Sequence, residues 1–197
     1  MIATVFDYGA GNLHSLAKAL AVAGVGVVIE ADPARAADAR LLVLPGVGAF
    51  AAAAARLAPG RERMRARLAA GLPCVGICLG MQLLFDASDE GPGAGLGAIP
   101  GRVTRLTAAR VPQIGWNTVE PAPGAALATP LPAAYFAHSF VCRPADPACV
   151  TAWTTHDGDR FASVVRRANT IGVQFHPEKS SRAGVAFLAE CVREVSR

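Results

Sequence analysis

The first half of the chain alternates between apolar runs and amphipathic stretches. Four apolar runs have the length of a buried strand: 2–6, 25–29, 41–44 and 72–77. Three stretches have helical spacing of apolar residues: 13–23, the alanine-rich segment from 49, and 79–85. Since near-continuous apolar strands separated by helices are typical of a parallel sheet covered on both faces, this half predicts an α/β architecture.

The second half has a different pattern. Between 99 and 174, short strand candidates are separated by proline and glycine clusters, and the clearest are 161–165 and 170–175, joined by a polar turn at 166–169. This spacing predicts antiparallel strands. Ser180 and Ser181 are placed to cap a last helix that ends near Val195. The sequence contains no repeat and no long linker, so residues 1–197 are predicted to form one domain.

Composition narrows the class of protein. The 197 residues are 52% apolar and 17% charged, which favours a folded chain over a disordered one. No segment approaches the roughly 18 unbroken apolar residues of a membrane span, so no membrane association is predicted. The net charge is +4, and the arginines at 61–67 lack the stacking aromatics of a nucleic-acid site. They indicate a solvated helix face instead.

Five cysteines are spaced without a C-x-x-C pair, and no histidine stands at zinc-finger spacing. We therefore expect neither a disulfide framework nor a metal site, and no cofactor motif is present. The N-terminal segment has no basic region and carries Asp7 inside its apolar stretch, which argues against a signal peptide. These features predict a cytoplasmic protein, in which an isolated cysteine can be catalytic.

The segment Gly-Ile-Cys-Leu-Gly at 76–80 follows an apolar strand and opens a helix, which is the setting of a nucleophile elbow. Glycines two residues to either side would relieve clashes and project Cys78 into a cleft, and the helix start would place partial positive charge beside the sulfur. The spacing alone also fits a buried cysteine in a core strand. The strand before it and the helix after it favour the nucleophile.

A cysteine nucleophile needs a base. His176 ends the apolar run 170–175, at the carboxyl end of a strand, where α/β folds place their sites. Pro177 favours an extended backbone at His176, so that Glu178 would project to the same side and orient the imidazole. The three residues together predict a Cys–His–Glu triad.

Two glycine-containing loops follow other strands. Gly9-Ala10-Gly11 lacks the third glycine of a dinucleotide fingerprint, because that position is His14, so nucleotide binding is rejected. The loop at 45–48 contains Gly46, Val47 and Gly48, and with the N–H of Leu79 it could stabilise an oxyanion. A plain turn into the following helix is the alternative.

Three motifs together resemble the class I, or triad, glutamine amidotransferases: Gly-Ile-Cys-Leu-Gly-Met-Gln at 76–82, Gly-Val-Gln-Phe-His-Pro-Glu-Lys-Ser at 172–180 and Pro-Gly-Val-Gly-Ala-Phe at 45–50. Three more are similar to those of the glutaminase subunits of imidazole glycerol phosphate synthases: 7–13, 112–117 and 135–139. The resemblance implies a flavodoxin-like, three-layer α/β sandwich with a mostly parallel central sheet and added antiparallel strands in the C-terminal half.

The resemblance also implies a reaction and a partner. L-glutamine would be hydrolysed to glutamate, and the ammonia would pass to a separate cyclase subunit that makes imidazole glycerol phosphate and an aminoimidazole carboxamide ribotide in histidine biosynthesis. Cys78 would be the nucleophile, His176 the proton shuttle and Glu178 its orienting partner. A heterodimer with the cyclase is therefore expected.

Further residues are carried over from the family by their motifs. Those that match substrate contacts are Gly48, Gln82, Glu90, Ser139 and Phe140. Those that match the surface facing the cyclase are Asn12, Gln113, Trp116, Asn117, Tyr135, His138 and Lys179. Trp116 also fits ordinary core packing. The family commonly has Tyr at the position of Phe140 and often His at that of Gln113, so a hydroxyl contact at Phe140 is absent here.

Other activities remain possible on the sequence. Triad glutaminases that serve other synthases lack the combination of the 45–50 and 114–117 motifs. A cysteine peptidase or γ-glutamyl hydrolase on the same fold would use the same triad, and a binding subunit that has lost catalysis would be an alternative of another class. The intact triad argues against the last of these.

Overall fold

The computed structural model describes residues 1–9, 13–125 and 130–197. Within these ranges the strands are β1 (Ile2–Phe6), β2 (Gly26–Glu30), β3 (Leu42–Leu44), β4 (Cys74–Ile77), β5 (Ala87–Ser88), β6 (Gly101–Arg105), β7 (Gln113–Thr118), β8 (Glu120–Pro121), β9 (Ala133–His138), β10 (Phe140–Pro144), β11 (Val150–His156), β12 (Asp159–Arg167) and β13 (Thr170–Val173). The α-helices there are α1 (His14–Val22), α2 (Pro33–Ala36), α3 (Phe50–Leu57), α4 (Arg61–Ala69), α5 (Leu79–Leu83) and α6 (Ser181–Val195).

The main sheet has the strand order β2-β1-β3-β4-β13-β12-β11-β8. The first five strands are parallel to one another. The last three are added antiparallel and come from the second half of the chain. The predicted fold class, a mostly parallel α/β sheet with antiparallel strands from the C-terminal half, is confirmed.

Helices cover both faces of this sheet. Side chains of α1 and α6 pack with Val5 and Val43 in one apolar cluster. Side chains of α3, α4 and α5 pack with Phe6 and Leu44 in a second cluster on the opposite face. Because successive side chains of a strand point to opposite faces, a strand covered on both sides must be apolar at every position, which is why the runs in the sequence are nearly continuous.

The topology brings three separate loops to one edge of the sheet. Strands β3, β4 and β13 are immediate neighbours and parallel, so their carboxyl ends lie side by side. The glycine loop at 45–48 follows β3, Cys78 follows β4 and His176 lies just beyond β13. A site assembled from these loops is the expected consequence of this strand order.

Two small sheets complete the described structure. One has the order β10-β6-β5, and the other is the antiparallel ribbon β7–β9. The ribbon is attached to the edge of the main sheet where the N–H of His176 donates to the carbonyl oxygen of Tyr135 at 2.8 Å. Within the described part of the chain, no helix has both the length and the apolar character needed to cross a membrane.

Candidate active site

Cys78 lies in a strained turn between β4 and α5. Its backbone has φ +47° and ψ −104°, in a region that residues other than glycine rarely adopt. The two flanking glycines are required by contact: a Cβ at Gly76 would lie 2.7 Å from the carbonyl oxygen of Gly80, and a Cβ at Gly80 would overlap the carbonyl of Leu44. The chain therefore folds as an elbow around the cysteine, as its glycine spacing indicates.

His176 and Glu178 form a buried pair beside this elbow. His176 Nδ1 donates to Glu178 Oε1 at 2.8 Å, and the two side chains are 3% and 8% exposed. Burial by itself would lower the pKa of His176, but hydrogen bonds to Cys78 and Glu178 and their negative charge outweigh it and raise the pKa to about 10. The structure thus brings the three residues of the predicted triad together.

The route by which Glu178 reaches His176 differs from the one predicted. The backbone of His176 is extended, at φ −102° and ψ 94°, as the following proline favours. Residues Pro177–Lys179, however, form a 3₁₀ turn rather than a continuing strand, and it is this turn that returns the carboxylate to the imidazole.

Ser180 supports the same turn instead of capping the helix. It occupies the N-cap position of α6 but makes no capping hydrogen bond with its side chain. Its hydroxyl donates to the carbonyl oxygen of His176 at 2.7 Å and accepts the N–H of Tyr135 at 2.9 Å. The predicted role of Ser180 as a side-chain cap is wrong, and the residue ties the histidine backbone to the ribbon.

The glycine loop after β3 lies against the triad. A Cβ at Gly46 would lie 2.9 Å from Cε1 of His176, 3.0 Å from the carbonyl oxygen of Ile77 and 3.1 Å from Cβ of Cys78. Only a glycine fits at this distance without displacing a neighbour. Behind the loop, the hydroxyl of buried Tyr8 donates to the carbonyl oxygen of Pro45 at 3.3 Å. The loop is therefore packed directly on His176 and Cys78.

A cavity of about 430 Å³ opens in front of Cys78. It is lined by Gly46, Val47, Gly48, Cys78, Leu79, Gln82, Glu90, Pro112, Ile114, Ala137, His138, Ser139, Phe140, His176 and Lys179. All residues expected in the oxyanion loop and in substrate binding border this one cavity. Its volume is in the range of about 300–1,000 Å³ that small-molecule sites occupy.

Two polar side chains of the cavity are held by main-chain groups. Gln82 Nε2 donates to the carbonyl oxygen of Phe140 at 3.0 Å. Glu90 Oε2 accepts the N–H of Phe50, the first residue of α3, at 3.1 Å. These contacts fix the amide and the carboxylate at the cavity wall.

The ribbon β7–β9 divides the expected partner-facing residues between its two faces. Trp116 is 57% exposed, so it does not pack in the core, and it pairs across the ribbon with half-buried Tyr135. The Nζ of Lys179 lies 6.0 Å from the centre of the Tyr135 ring. These three side chains form an outer face that continues from the cavity.

The inner face of the ribbon holds Gln113 and His138, which are paired across the strands and buried within this chain. Burial lowers the pKa of His138 to about 3, against the raising effect of its hydrogen bond to the carbonyl of Phe140. Asn117 donates to the carbonyl oxygen of Thr155 at 2.9 Å. Asn12 lies outside the described residues.

The sequence reasoning missed Pro112, Ile114 and Ala137 in the cavity wall and Gln174 beneath the cysteine. Gln174 Nε2 lies 3.6 Å from Cys78 Sγ, and the glutamine is fully buried. The sequence does mark Gln174 as unusual, since it is the single polar residue in the otherwise apolar run 171–175. A polar side chain inside a buried strand needs a partner, and here the partner is the sulfur.

The other cysteines are placed differently. All five are free thiols. Burial raises the pKa of Cys74, Cys142 and Cys191, so that each keeps its proton at neutral pH. Partial burial and nearby Asp146 raise the pKa of Cys149. Among the described residues, no group of three or more His, Cys, Asp or Glu side chains is placed to hold a metal ion.

Comparison with known proteins agrees with this geometry. Residues 4–195 match the family Glutamine amidotransferase class-I. The chain is 47% identical over 198 residues to the imidazole glycerol phosphate synthase subunit HisH of Symbiobacterium thermophilum, covering 97% of this chain and 93% of that protein. It is 45% identical over 194 residues to the HisH subunit of a Thermus thermophilus strain, covering 96% of each.

Solved structures share the fold at lower identity. A crystal structure of a glutamine amidotransferase superposes with a TM-score of 0.74 at 19% identity, covering 97% of this chain and 99% of that one. PurLQS from Thermotoga maritima superposes with a TM-score of 0.68 at 19% identity, covering 98% of this chain and 97% of that one. The chain belongs to the class I glutamine amidotransferase family and, within it, to the family of the HisH subunits of imidazole glycerol phosphate synthase.

Proposed function

We propose that this chain is the glutaminase subunit of an imidazole glycerol phosphate synthase. It hydrolyses L-glutamine to glutamate and delivers the ammonia to a cyclase subunit in histidine biosynthesis. The observation that carries the proposal is that Cys78 and His176 line one cavity and Glu178 hydrogen-bonds to the imidazole of His176, in a chain 47% identical to a HisH subunit.

The chemistry follows from the charges at the site. With the pKa of His176 raised to about 10, the imidazole is protonated at neutral pH beside a cysteine that acts as thiolate. The sulfur attacks the γ-carboxamide carbon, and N–H groups of the 46–48 loop and of Leu79 stabilise the oxyanion. His176 gives its proton to the departing ammonia. The neutral imidazole then activates a water, which hydrolyses the γ-glutamyl thioester and restores the thiolate.

Substrate recognition is assigned to the polar wall of the cavity. The carboxylate of Glu90 complements the α-ammonium group of glutamine, and Gln82, Gly48, Ser139 and Phe140 supply amide and main-chain groups. In this chain the contribution of Phe140 comes from its backbone, because the side chain has no hydroxyl. Its carbonyl oxygen already accepts the amide of Gln82 at 3.0 Å.

The outer face of the ribbon β7–β9 supports the partner assignment. Trp116 and Ile114 are 57% and 67% exposed on it, and Ile114 also lines the cavity. Exposed large apolar side chains grouped beside a cavity are typical of protein interaction sites. A cyclase seated on this face would cover the mouth of the site.

We also propose that residues 1–197 form a single amidotransferase domain that acts in the cytoplasm. The main sheet takes β1–β4 from the first half of the chain and β11–β13 from the second, which supports one domain. The five free thiols are in the state that a reducing compartment maintains.

The test compares two nitrogen sources in the reconstituted synthase. The chain is co-purified with the cyclase subunit from the same organism, and product formation is measured with glutamine and with ammonium salts. Cys78→Ala should abolish the glutamine-dependent route and leave the ammonia-dependent one. The matched control is Cys149→Ala, a half-buried thiol outside the cavity, which should keep both routes. Loss of both routes in Cys78→Ala, or of neither, would reject the assignment.

A further inference from the structure

Gln174 is placed to act on the reactive sulfur. It lies just past β13, with 0% of its surface exposed, and its backbone N–H donates to the carbonyl oxygen of Ser163 at 2.9 Å. This backbone bond fixes the residue in register with β12. From there the side-chain Nε2 reaches to 3.6 Å from Cys78 Sγ, which is a hydrogen-bonding distance for sulfur.

Packing alone does not explain why a glutamine occupies position 174. Its other amide atom, Oε1, is buried and accepts no hydrogen bond from the described residues. Burying a carboxamide with its oxygen unpartnered is unfavourable, and an apolar side chain of similar length would avoid that penalty. Among the residues that the structure describes, the side chain makes one hydrogen bond, the N–H bond to the cysteine, so this contact is what distinguishes glutamine from an apolar residue here.

The sulfur therefore has two hydrogen-bond donors. One is the imidazole of His176, which hydrogen-bonds to Cys78. The other is the amide of Gln174, a neutral donor that cannot exchange a proton with the sulfur at neutral pH. An N–H group binds a thiolate more strongly than a thiol, because hydrogen bonds to a charged acceptor are about twice as strong as those between neutral groups.

We propose that Gln174 is a further catalytic residue of the glutaminase reaction, whose Nε2–H holds the Cys78 sulfur as a thiolate and stabilises it as the leaving group. The inference rests on the proposed role of Cys78 as nucleophile. When the carbon–sulfur bond forms, the sulfur loses its charge and its hydrogen bond from the Gln174 amide weakens. When water hydrolyses the thioester, the electron pair of the carbon–sulfur bond returns to sulfur, and the side-chain amide of Gln174 stabilises the thiolate again.

The experiment measures the pH dependence of Cys78 alkylation by iodoacetamide in the intact chain, with the Cys78 peptide followed by mass spectrometry. The variants are Gln174→Met, which keeps the length and removes the N–H, and Gln174→Asn, which keeps the amide but withdraws it by one carbon. The matched control is Ser163→Ala, because Ser163 is also fully buried and its hydroxyl makes no hydrogen bond, to the sulfur or to any other described residue.

Both Gln174 variants should move the alkylation profile to higher pH by about one unit and slow alkylation about tenfold on its acid side, as expected for loss of a hydrogen bond to a charged group. Ser163→Ala should keep the wild-type profile. If Gln174→Met does not fold, as judged by its melting curve, Gln174→Asn carries the test. Profiles that coincide with wild type would overturn the proposal.

A second readout separates this contact from a structural role. With the cyclase present, both variants should lower kcat for glutamine about tenfold and leave KM unchanged, because Gln174 does not line the cavity. A raised KM with an unchanged kcat would overturn the proposal. Absence of glutaminase activity in the wild-type complex, together with a shifted alkylation profile, would instead count against the proposed function and leave the contact standing.

Discussion

Replacing Gly46 by alanine tests whether the loop after β3 has to lie against Cys78 and His176. A Cβ at this position would come within 2.9 Å of His176 Cε1 and 3.1 Å of Cys78 Cβ. Carbon atoms in ordinary contact are about 3.5–4.0 Å apart, so the loop or the imidazole must move by roughly half an ångström or more. Gly46 is not in the left-handed region, so the substitution adds volume without backbone strain.

The magnitude follows from that displacement. A misplacement of about 1 Å at a catalytic centre can cost roughly 10²-fold in rate, so half of it should cost on the order of tenfold in kcat. The added methyl group should also destabilise the fold by about 1–3 kcal/mol, as overpacking does. The two effects can be separated, because a loss of stability does not lower kcat at a temperature where the chain remains folded. A lower kcat at that temperature therefore reports the displacement of the loop or the imidazole.

The assay is glutamine hydrolysis by the complex with the cyclase, with kcat and KM measured separately and the melting temperature recorded. Gly26→Ala is the matched control, since it makes the same chemical change, lies outside the left-handed region, and its Cβ would meet nothing closer than 3.6 Å. The control should keep the wild-type kcat. A Gly46→Ala enzyme with wild-type kcat would refute the packing argument.

Three further substitutions test other contacts. The pKa of His176 is raised from 6.5 to about 10, so its protonated form stabilises the fold fully below about pH 6.5 and this stabilisation is lost as the pH rises toward 10. Glu178→Gln should therefore destabilise the chain more at pH 6 than at pH 10 in denaturant titrations, and an equal effect at both would contradict the pairing. Gly80→Ala should destabilise by several kcal/mol, because its Cβ would overlap the carbonyl of Leu44, and a melting temperature near wild type would exclude that overlap. Ser180→Ala should lower the free energy of unfolding by about 1–3 kcal/mol, because it removes a 2.7 Å bond to the carbonyl oxygen of His176 and leaves the N–H of Tyr135 without its acceptor, and an unchanged melting temperature would contradict it.

The parts of the fold that follow from local pattern could be predicted from the sequence. The strand at 2–6 coincides with β1 (Ile2–Phe6), and the elbow glycines fall where contact with Leu44 and with each other demands them. These features depend on residues close along the chain. The rule that α/β sheets place their sites at the carboxyl ends of strands predicted the position of His176, whereas the strand order that brings 45–48, Cys78 and His176 together was not predicted.

What the pattern did not reveal depends on contacts between distant segments. The hydroxyl of Ser180 bonds to Tyr135, 45 residues away, and that contact outcompetes helix capping. Gln174 reaches Cys78 across 96 residues of chain. Whether a polar residue in an apolar run has a partner is settled by tertiary packing, so the sequence could flag Gln174 as unusual but could not supply its partner.

The two faces of the ribbon β7–β9 can be predicted from strand alternation alone. Side chains alternate along a strand, so residues 113 and 116 must face opposite ways, as must 135 and 138. Applied to the 113–118 and 133–138 segments, this rule alone separates Trp116 and Tyr135 from Gln113 and His138. The structure buries the second pair inside the chain. Only the first pair is on a face that a second protein can cover.

That division has a chemical consequence for ammonia transfer. Ile114 lies on the same outer face as Trp116 and also lines the cavity that holds Cys78, so the exposed apolar surface and this cavity are continuous. A subunit bound over this face would cap the cavity with apolar contacts. His138, whose pKa is lowered to about 3, also lines the cavity and has no proton to give at neutral pH. Ammonia released at Cys78 would therefore gain no proton from His138, which favours its reaching the partner as the neutral nucleophile that ring closure requires.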